Sequence, residues 1–170
     1  MYKDEKFNDT IPLNTKNFQK ILLFYLFNCP AADTSIRADT FAQRGWKKDL
    51  YSTLKSDMLN AATPNLRKHY CPCTKDNLES TFAQMESLDE TEEYCVFLKH
   101  EERKVMDSLY RAIRNAFAHG SFTRKKKKKE FIYFFANYDG YLKAQIQLKE
   151  STLLAWIGII NSGPHSHKRA

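Results

Sequence analysis

Residues 89–120 read DETEEYCVFLKHEERKVMDSLYRAIRNAFAHG, and the apolar side chains Tyr94, Leu98, Val105, Leu109, Ile113 and Phe117 recur in them at helical spacing. The pattern predicts one long helix over Asp89–His119, about 45 Å long at ~1.5 Å per residue. A helix of that length is open to a kink or an early break, but no residue marks one. Ser87 and Glu90 match a capping box. Glu90, Glu92 and Glu93 lie where a helix N-terminus favours anions, and Arg111, Arg114 and Gly120 lie where a helix should end.

Around this segment the same reading predicts a first helix over Thr15–Asn28 from Phe18, Ile21, Leu22, Tyr25 and Leu26, closed by Pro30. A second spans Thr40–Ala62 from Phe41, Trp46, Leu50, Leu54, Met58 and Leu59, bounded by Pro64, and a shorter one spans Asp76–Leu88. After a basic loop at 123–130, the run Phe131–Asn137 is apolar on both faces. Leu142, Ala144, Ile146 and Leu148 then alternate with Lys143, Gln145, Gln147 and Lys149. These are strands, and Asp139-Gly140 between them suits a type I′ turn, so a hairpin is expected over 131–149. Ser151 should cap a short apolar helix over 151–161, followed by a tail at 162–170. The expectation is a single, mainly α domain: a helical bundle over about 15–120, then the basic loop, the hairpin and a terminal helix.

Composition narrows the class. In 170 residues, 42% are hydrophobic and 14% aromatic, which excludes a disordered or collagen-like chain. The net charge is 27 − 20 = +7, and Arg124–Glu130 alone carries 6 − 1 = +5, leaving +2 for everything else. A local basic run points to an anionic partner, nucleic acid first. Cys29, Cys71, Cys73 and Cys95 are too few and too irregular for a disulfide scaffold and favour a reducing compartment. The longest apolar run, Ile21–Phe27, falls far short of the roughly 18 residues that cross a bilayer. A signal peptide is rejected because Asp4, Glu5 and Asp9 make a poor leader. A cytoplasmic protein without a membrane partner is expected. His69, Cys71, Cys73, Cys95 and His100 are zinc-ligand types, but Cys-x-Cys lacks the usual spacer, so no metal is expected. His165 and His167 fall in the tail.

Chemistry concentrates at the end of the long segment. Arg111, Asn115 and His119 are four apart and share one side of a helix; Arg114 flanks them, and Arg103 and Asp107 extend the row backward. A guanidinium, an amide and an imidazole side by side suit phosphodiester cleavage without metal. The imidazole moves a proton to or from a ribose hydroxyl, and the guanidinium stabilises charge on phosphoryl oxygens. A helix C-terminus raises a histidine pKa and a nearby Arg lowers it, which leaves the direction open. One helix supplies one His, whereas hydroxyl attack needs both a base and an acid, so a second copy of the chain is called for.

The stretch Arg114-Asn115-Ala116-Phe117-Ala118-His119-Gly120 resembles the Arg, polar residue, three residues, His signature of the HEPN superfamily (higher eukaryotes and prokaryotes nucleotide-binding domains). The resemblance is sharp over about ten residues. It implies a helical bundle, a homodimer whose two motifs meet in a cleft, no cofactor, and metal-independent endoribonuclease activity leaving 2′,3′-cyclic phosphate ends. It further implies a toxin–antitoxin or phage-defence setting with a cognate antitoxin protein as a possible partner. Arg114 and His119 match the family's catalytic pair and Asn115 its polar position, while Arg111 is added from spacing alone. Arg124, Lys125, Lys126, Lys127, Lys128 and Lys129, with Arg111, are the residues expected to recruit RNA.

Plainer readings accompany these. His119 before Gly120 suits a helix cap, and the lysine run a solvated loop. The aromatics Phe131, Tyr133, Phe134 and Phe135 suit a buried strand better than a base-stacking platform. Asp76–Glu93, with seven acids and no Lys or Arg, suits a wet surface or a dock for basic groups. The alternative to an enzyme is a non-catalytic HEPN module that binds RNA, nucleotide or a protein partner; a duplex-DNA binder is a third reading.

Overall fold

The computed structural model describes residues 15–31 and 39–164. The expectations for the N-terminal leader and for the tail histidines lie outside the described residues. In chain order the elements are α1 (Lys16–Leu22, continuing as a π-helical turn over Leu23–Phe27), α2 (Tyr51–Asn60), β1 (Tyr70–Cys73), α3 (Lys75–Met85) and β2 (Tyr94–Leu98). There follow α4 (Val105–Ala118), β3 (Phe122–Lys127), β4 (Glu130–Asp139), β5 (Tyr141–Lys149) and α5 (Glu150–Ser162).

The five strands form one mixed sheet in the order β1-β2-β5-β4-β3. β1 and β2 are parallel, with Tyr70 opposite Cys95, and the remaining neighbours are antiparallel. Parallel neighbours need a crossover, and α3 provides it. The fold is therefore α/β around a sheet, and the expected mainly helical bundle is corrected.

The difference lies in residues 89–104, which do not continue α4 toward the N-terminus. Tyr94-Cys95-Val96-Phe97-Leu98 is a continuous apolar run, and as β2 its first four residues are buried. Helix covers one sheet face and helices cover the other, so both faces of a central strand must be apolar. Reading Tyr94 and Leu98 as helical positions ignored the three apolar residues between them. α4 begins at Val105 and spans 14 residues, about 21 Å rather than 45 Å. The Ser87–Glu90 box caps nothing: α3 has ended at Met85, and Ser87 Oγ donates to the Gln84 carbonyl.

The second expected helix is also shorter. Residues 41–45 turn instead of coiling, with Gly45 at φ 92°, and α2 starts at Tyr51. The turn is tied to α5 by Trp46 Nε1, which donates to the Ile160 carbonyl at 3.2 Å, and by Arg44, which donates to Asn161 Oδ1 at 2.9 Å. α1, α3, the 131–149 hairpin and α5 lie where expected. The hairpin turn differs from type I′. Only Gly140 has positive φ there, Tyr138 pairs with Leu142 in place of Tyr141, and Lys143 is the extra residue of a bulge beside Asn137/Tyr138.

One sheet face, carrying Cys95, Phe97, Tyr133, Phe135, Ile146 and Leu148, packs against α1, α2, α4 and α5 around Tyr25, Tyr110, Trp46 and Trp156. Buried ring polar atoms find partners: Tyr25 donates to the Leu153 carbonyl at 2.8 Å and Trp156 to the Met58 carbonyl at 2.9 Å. The other face carries a smaller core of Cys73, Leu78, Met85, Tyr94 and Val96 under α3. Glu93, 1% exposed, joins three segments: Oε1 accepts from Thr63 N, Thr63 Oγ1 and Thr152 Oγ1, and Oε2 from Lys149 N, all at 2.9–3.0 Å. A carboxylate this buried persists because four donors replace its water.

Candidate functional site

α4 is amphipathic in a way that leaves one polar side. Met106, Leu109, Tyr110, Ala112, Ile113, Ala116 and Phe117 are buried, while Arg111, Arg114 and Asn115 are half-buried and Ala118 and His119 exposed. The sequence-predicted Arg111, Arg114, Asn115 and His119 thus lie together on the wet side of the last turns. Arg114 Nη1 donates to Asn115 Oδ1 at 3.3 Å, and Arg114 Nε is buried without a hydrogen-bond partner among the described residues.

The helix stops at this point for a local reason. Gly120 takes φ 66°, its N–H bonds the Phe117 carbonyl at 3.2 Å, and Ser121 N–H reaches back to the Ala116 carbonyl at 2.8 Å. This is a Schellman end with glycine at its left-handed position, which exposes His119 on the last residue before the turn. The chain then enters β3. Ser121 in turn accepts the Ala136 N–H at 2.9 Å, so the far end of β4 runs beside His119.

That neighbour brings in Asp139, which the sequence reading did not single out. Its carboxyl is held below the usual carboxylate range, first by the hydrogen bond and charge of Lys143 at 2.9 Å and further by the His119 imidazole. Nothing in the composition marks Asp139 except its place before Gly140. Its meeting with His119 depends on a strand, β3, that was expected to be a loop. Asp107 belongs to another neighbourhood, about 18 Å up the helix from His119 at 1.5 Å per residue. There burial and then Asp107 push the Tyr51 phenol up to about 12, and Lys104 lies over the same ring. Arg103 precedes the helix altogether.

The basic run is corrected in two respects. Residues 122–127 form β3, paired along their length with β4, and only Lys128 and Lys129 make the turn, Lys128 with φ 55°. Arg124 is not on the surface: it is buried against Glu150, Tyr133 and Phe131. Six cations in a row hide the alternation of a strand, and the apolar partner Phe131–Phe135 determines the pairing. Lys125, Lys126, Lys128 and Lys129 are exposed, and Lys127 bonds Glu90 at 2.8 Å. Lysines on an outer strand also oppose edge-to-edge association. The lysine turn and His119 lie beyond opposite ends of β3, which alone spans about 16 Å at ~3.3 Å per residue.

Among the described residues no group of three or more His, Cys, Asp or Glu is placed to hold a metal ion. No helix among them is long and apolar enough to cross a membrane. Comparison with protein-family models, curated proteins and solved structures finds no match to this chain.

Proposed function

We propose that this protein is a metal-independent endoribonuclease of HEPN type that cleaves RNA by attack of a ribose 2′-hydroxyl, in a toxin or phage-defence setting. The supporting observation is the exposed end of α4, where Arg114, Asn115 and His119 share the wet side of a helix whose other side is buried. His119 serves as base or acid, Arg114 stabilises the charge that builds on the phosphoryl oxygens, and Asn115, bonded to Arg114, orients it or the phosphate. The second proton-transfer group is His119 of a second copy in a homodimer, and Lys125, Lys126, Lys128 and Lys129 draw the RNA backbone in. The fold carries the motif without the bundle that the resemblance implies, so the proposal rests on the motif and its exposure.

A single imidazole in the α4 motif favours a second reading, a non-catalytic module that binds RNA, nucleotide or a protein partner, such as an antitoxin, through the same surface. Incubation of the purified protein with labelled single-stranded RNA and a chelator separates the two. Fragments with 2′,3′-cyclic ends are expected, lost in Arg114→Ala and in His119→Ala; a mobility shift without fragments favours the binding module. Activity retained in either variant removes the assignment.

A further inference from the structure

The protein holds one of its own carboxylates against the lysine strand. Glu90 Oε2 lies 2.8 Å from Lys127 Nζ, and the Glu90 side chain is 67% exposed. It belongs to a short acidic strap, residues 89–92, between α3 and β2. The strap crosses three strands of the sheet. The Glu92 carbonyl accepts from Gln147 Nε2 of β5 at 2.7 Å, while Glu90 reaches Lys127 of β3, beyond β4. Asp89 accepts from Thr91 N and Oγ1 at 2.8 and 2.7 Å, which closes the turn of the strap. Those bonds first, and the Lys128 charge after them, hold the Asp89 carboxyl below the usual carboxylate range.

The strand register shows what lies under the strap. Phe122 belongs to the main core and Arg124 is buried against Glu150, so alternation puts Lys125 and Lys127 on the opposite sheet face. Lys125 and Lys149 flank Ile132 in one row across β3, β4 and β5, and Lys127 is level with Glu130. Lys149 Nζ meets the Glu130 carboxylate at 3.9 Å. Three ammonium groups thus share this patch with two carboxylates, and one of the two, Glu90, is carried by a loop instead of the sheet. An ion pair as exposed as Lys127–Glu90 contributes little net free energy, so a polyanion can replace the carboxylate. An RNA backbone presents phosphates in series and releases its own counterions on contact.

Resting on the reading that the lysine strand recruits RNA, we propose that Lys127, flanked by Lys125 and Lys149, binds a backbone phosphate of single-stranded RNA. Glu90 occupies that phosphate position in the free protein. RNA enters by displacing one exposed side chain. The strap itself stays in place, because Glu93 at its end is buried and accepts from Thr63, Thr152 and the Lys149 backbone N–H. Glu90 therefore acts as a built-in competitor that lowers the affinity for RNA.

The test uses the full chain and a fluorescent, 2′-O-methylated single-stranded RNA, which cannot react by 2′-hydroxyl attack, in anisotropy titrations. At low salt Glu90→Gln is expected to bind about 2- to 5-fold more tightly than the wild type, the range an exposed ion pair supplies. With Lys127→Gln already present, that gain should vanish. In the Glu90→Gln background, Lys127→Gln should also lower the slope of log K against log salt by about 0.7. No gain from Glu90→Gln, or no binding by either protein, overturns the proposal. So does an equal gain with Lys127 replaced, which marks a general effect of net charge. Cleavage of the unmodified strand is read in parallel. A wild type that cleaves, with no gain from Glu90→Gln, removes the Lys127 site alone. A gain that depends on Lys127, without cleavage, removes the nuclease reading alone.

Discussion

Arg124 and Glu150 form an ion pair inside the protein, Nη2 to Oε2 2.9 Å, with their side chains only 3% and 9% exposed. Tyr133 donates to the same carboxylate oxygen at 2.7 Å, Asn17 donates to the other at 3.2 Å, and the Arg124 guanidinium lies 3.4 Å over the Phe131 ring. A residue that charge alone groups with a nucleic-acid-binding run is thus a tie between β3, β4, α1 and the start of α5. Arg124→Ala leaves Glu150 buried without its counter-charge and is expected to cost about 3–5 kcal/mol. Lys126→Ala, exposed two residues farther along the same strand, should stay within about 0.5 kcal/mol. Urea denaturation of both variants measures the contrast, and equal midpoints would contradict the buried pair.

The exposed lysines carry a different expectation. Replacing Lys125, Lys126, Lys128 and Lys129 by Gln should weaken single-stranded RNA binding at low salt and flatten its salt dependence. The slope of log K against log salt should fall by about 0.7 for each phosphate contact removed. Anisotropy titrations at several salt concentrations read this directly. A parallel shift with unchanged slope would mean that these lysines do not touch the backbone.

Gly120 tests the helix end that presents His119. A Cβ added there meets nothing within 4 Å, so the cost of Gly120→Ala is conformational alone, set by φ 66°. A loss of about 1–2 kcal/mol in thermal or denaturant unfolding is expected. Because the same turn aims the imidazole, RNA cleavage should drop more than the stability loss explains. Unchanged unfolding would show that the backbone takes another path.

Acid titration tests the neighbourhood of His119. The folded-state pKa of Asp139 is depressed, by Lys143 first. Its stabilising effect is therefore present above the ordinary carboxylate pKa and disappears as pH falls through the lowered value. NMR titration of the Asp139 carboxyl should give a midpoint below the usual range, and Lys143→Ala should move it back upward. A midpoint unaffected by Lys143→Ala would place the shift on another cause.

Local pattern was legible wherever one period ruled a segment. α1, α3, α5 and the 131–149 hairpin follow from the spacing of their own apolar residues, and Gly120 marks the end of α4 by its lack of a Cβ. The site was legible to the same extent: Arg111, Arg114, Asn115 and His119 share a side of α4 because a helix repeats about every four residues.

What the chain could not reveal locally was which segments become neighbours. Tyr94–Leu98 can be read as helix or as buried strand until β5 and β1 flank it. Phe122–Lys127 looks like a solvated loop until Phe131–Phe135 pairs with it, and Arg124 looks wet until Glu150 meets it. Residue order alone therefore settled the periodic helices and the single-helix site. Tertiary structure alone settled the sheet, the burial of Arg124 and the approach of Asp139 to His119, because a strand's backbone bonds and a buried charge's partner are both supplied by residues distant along the chain.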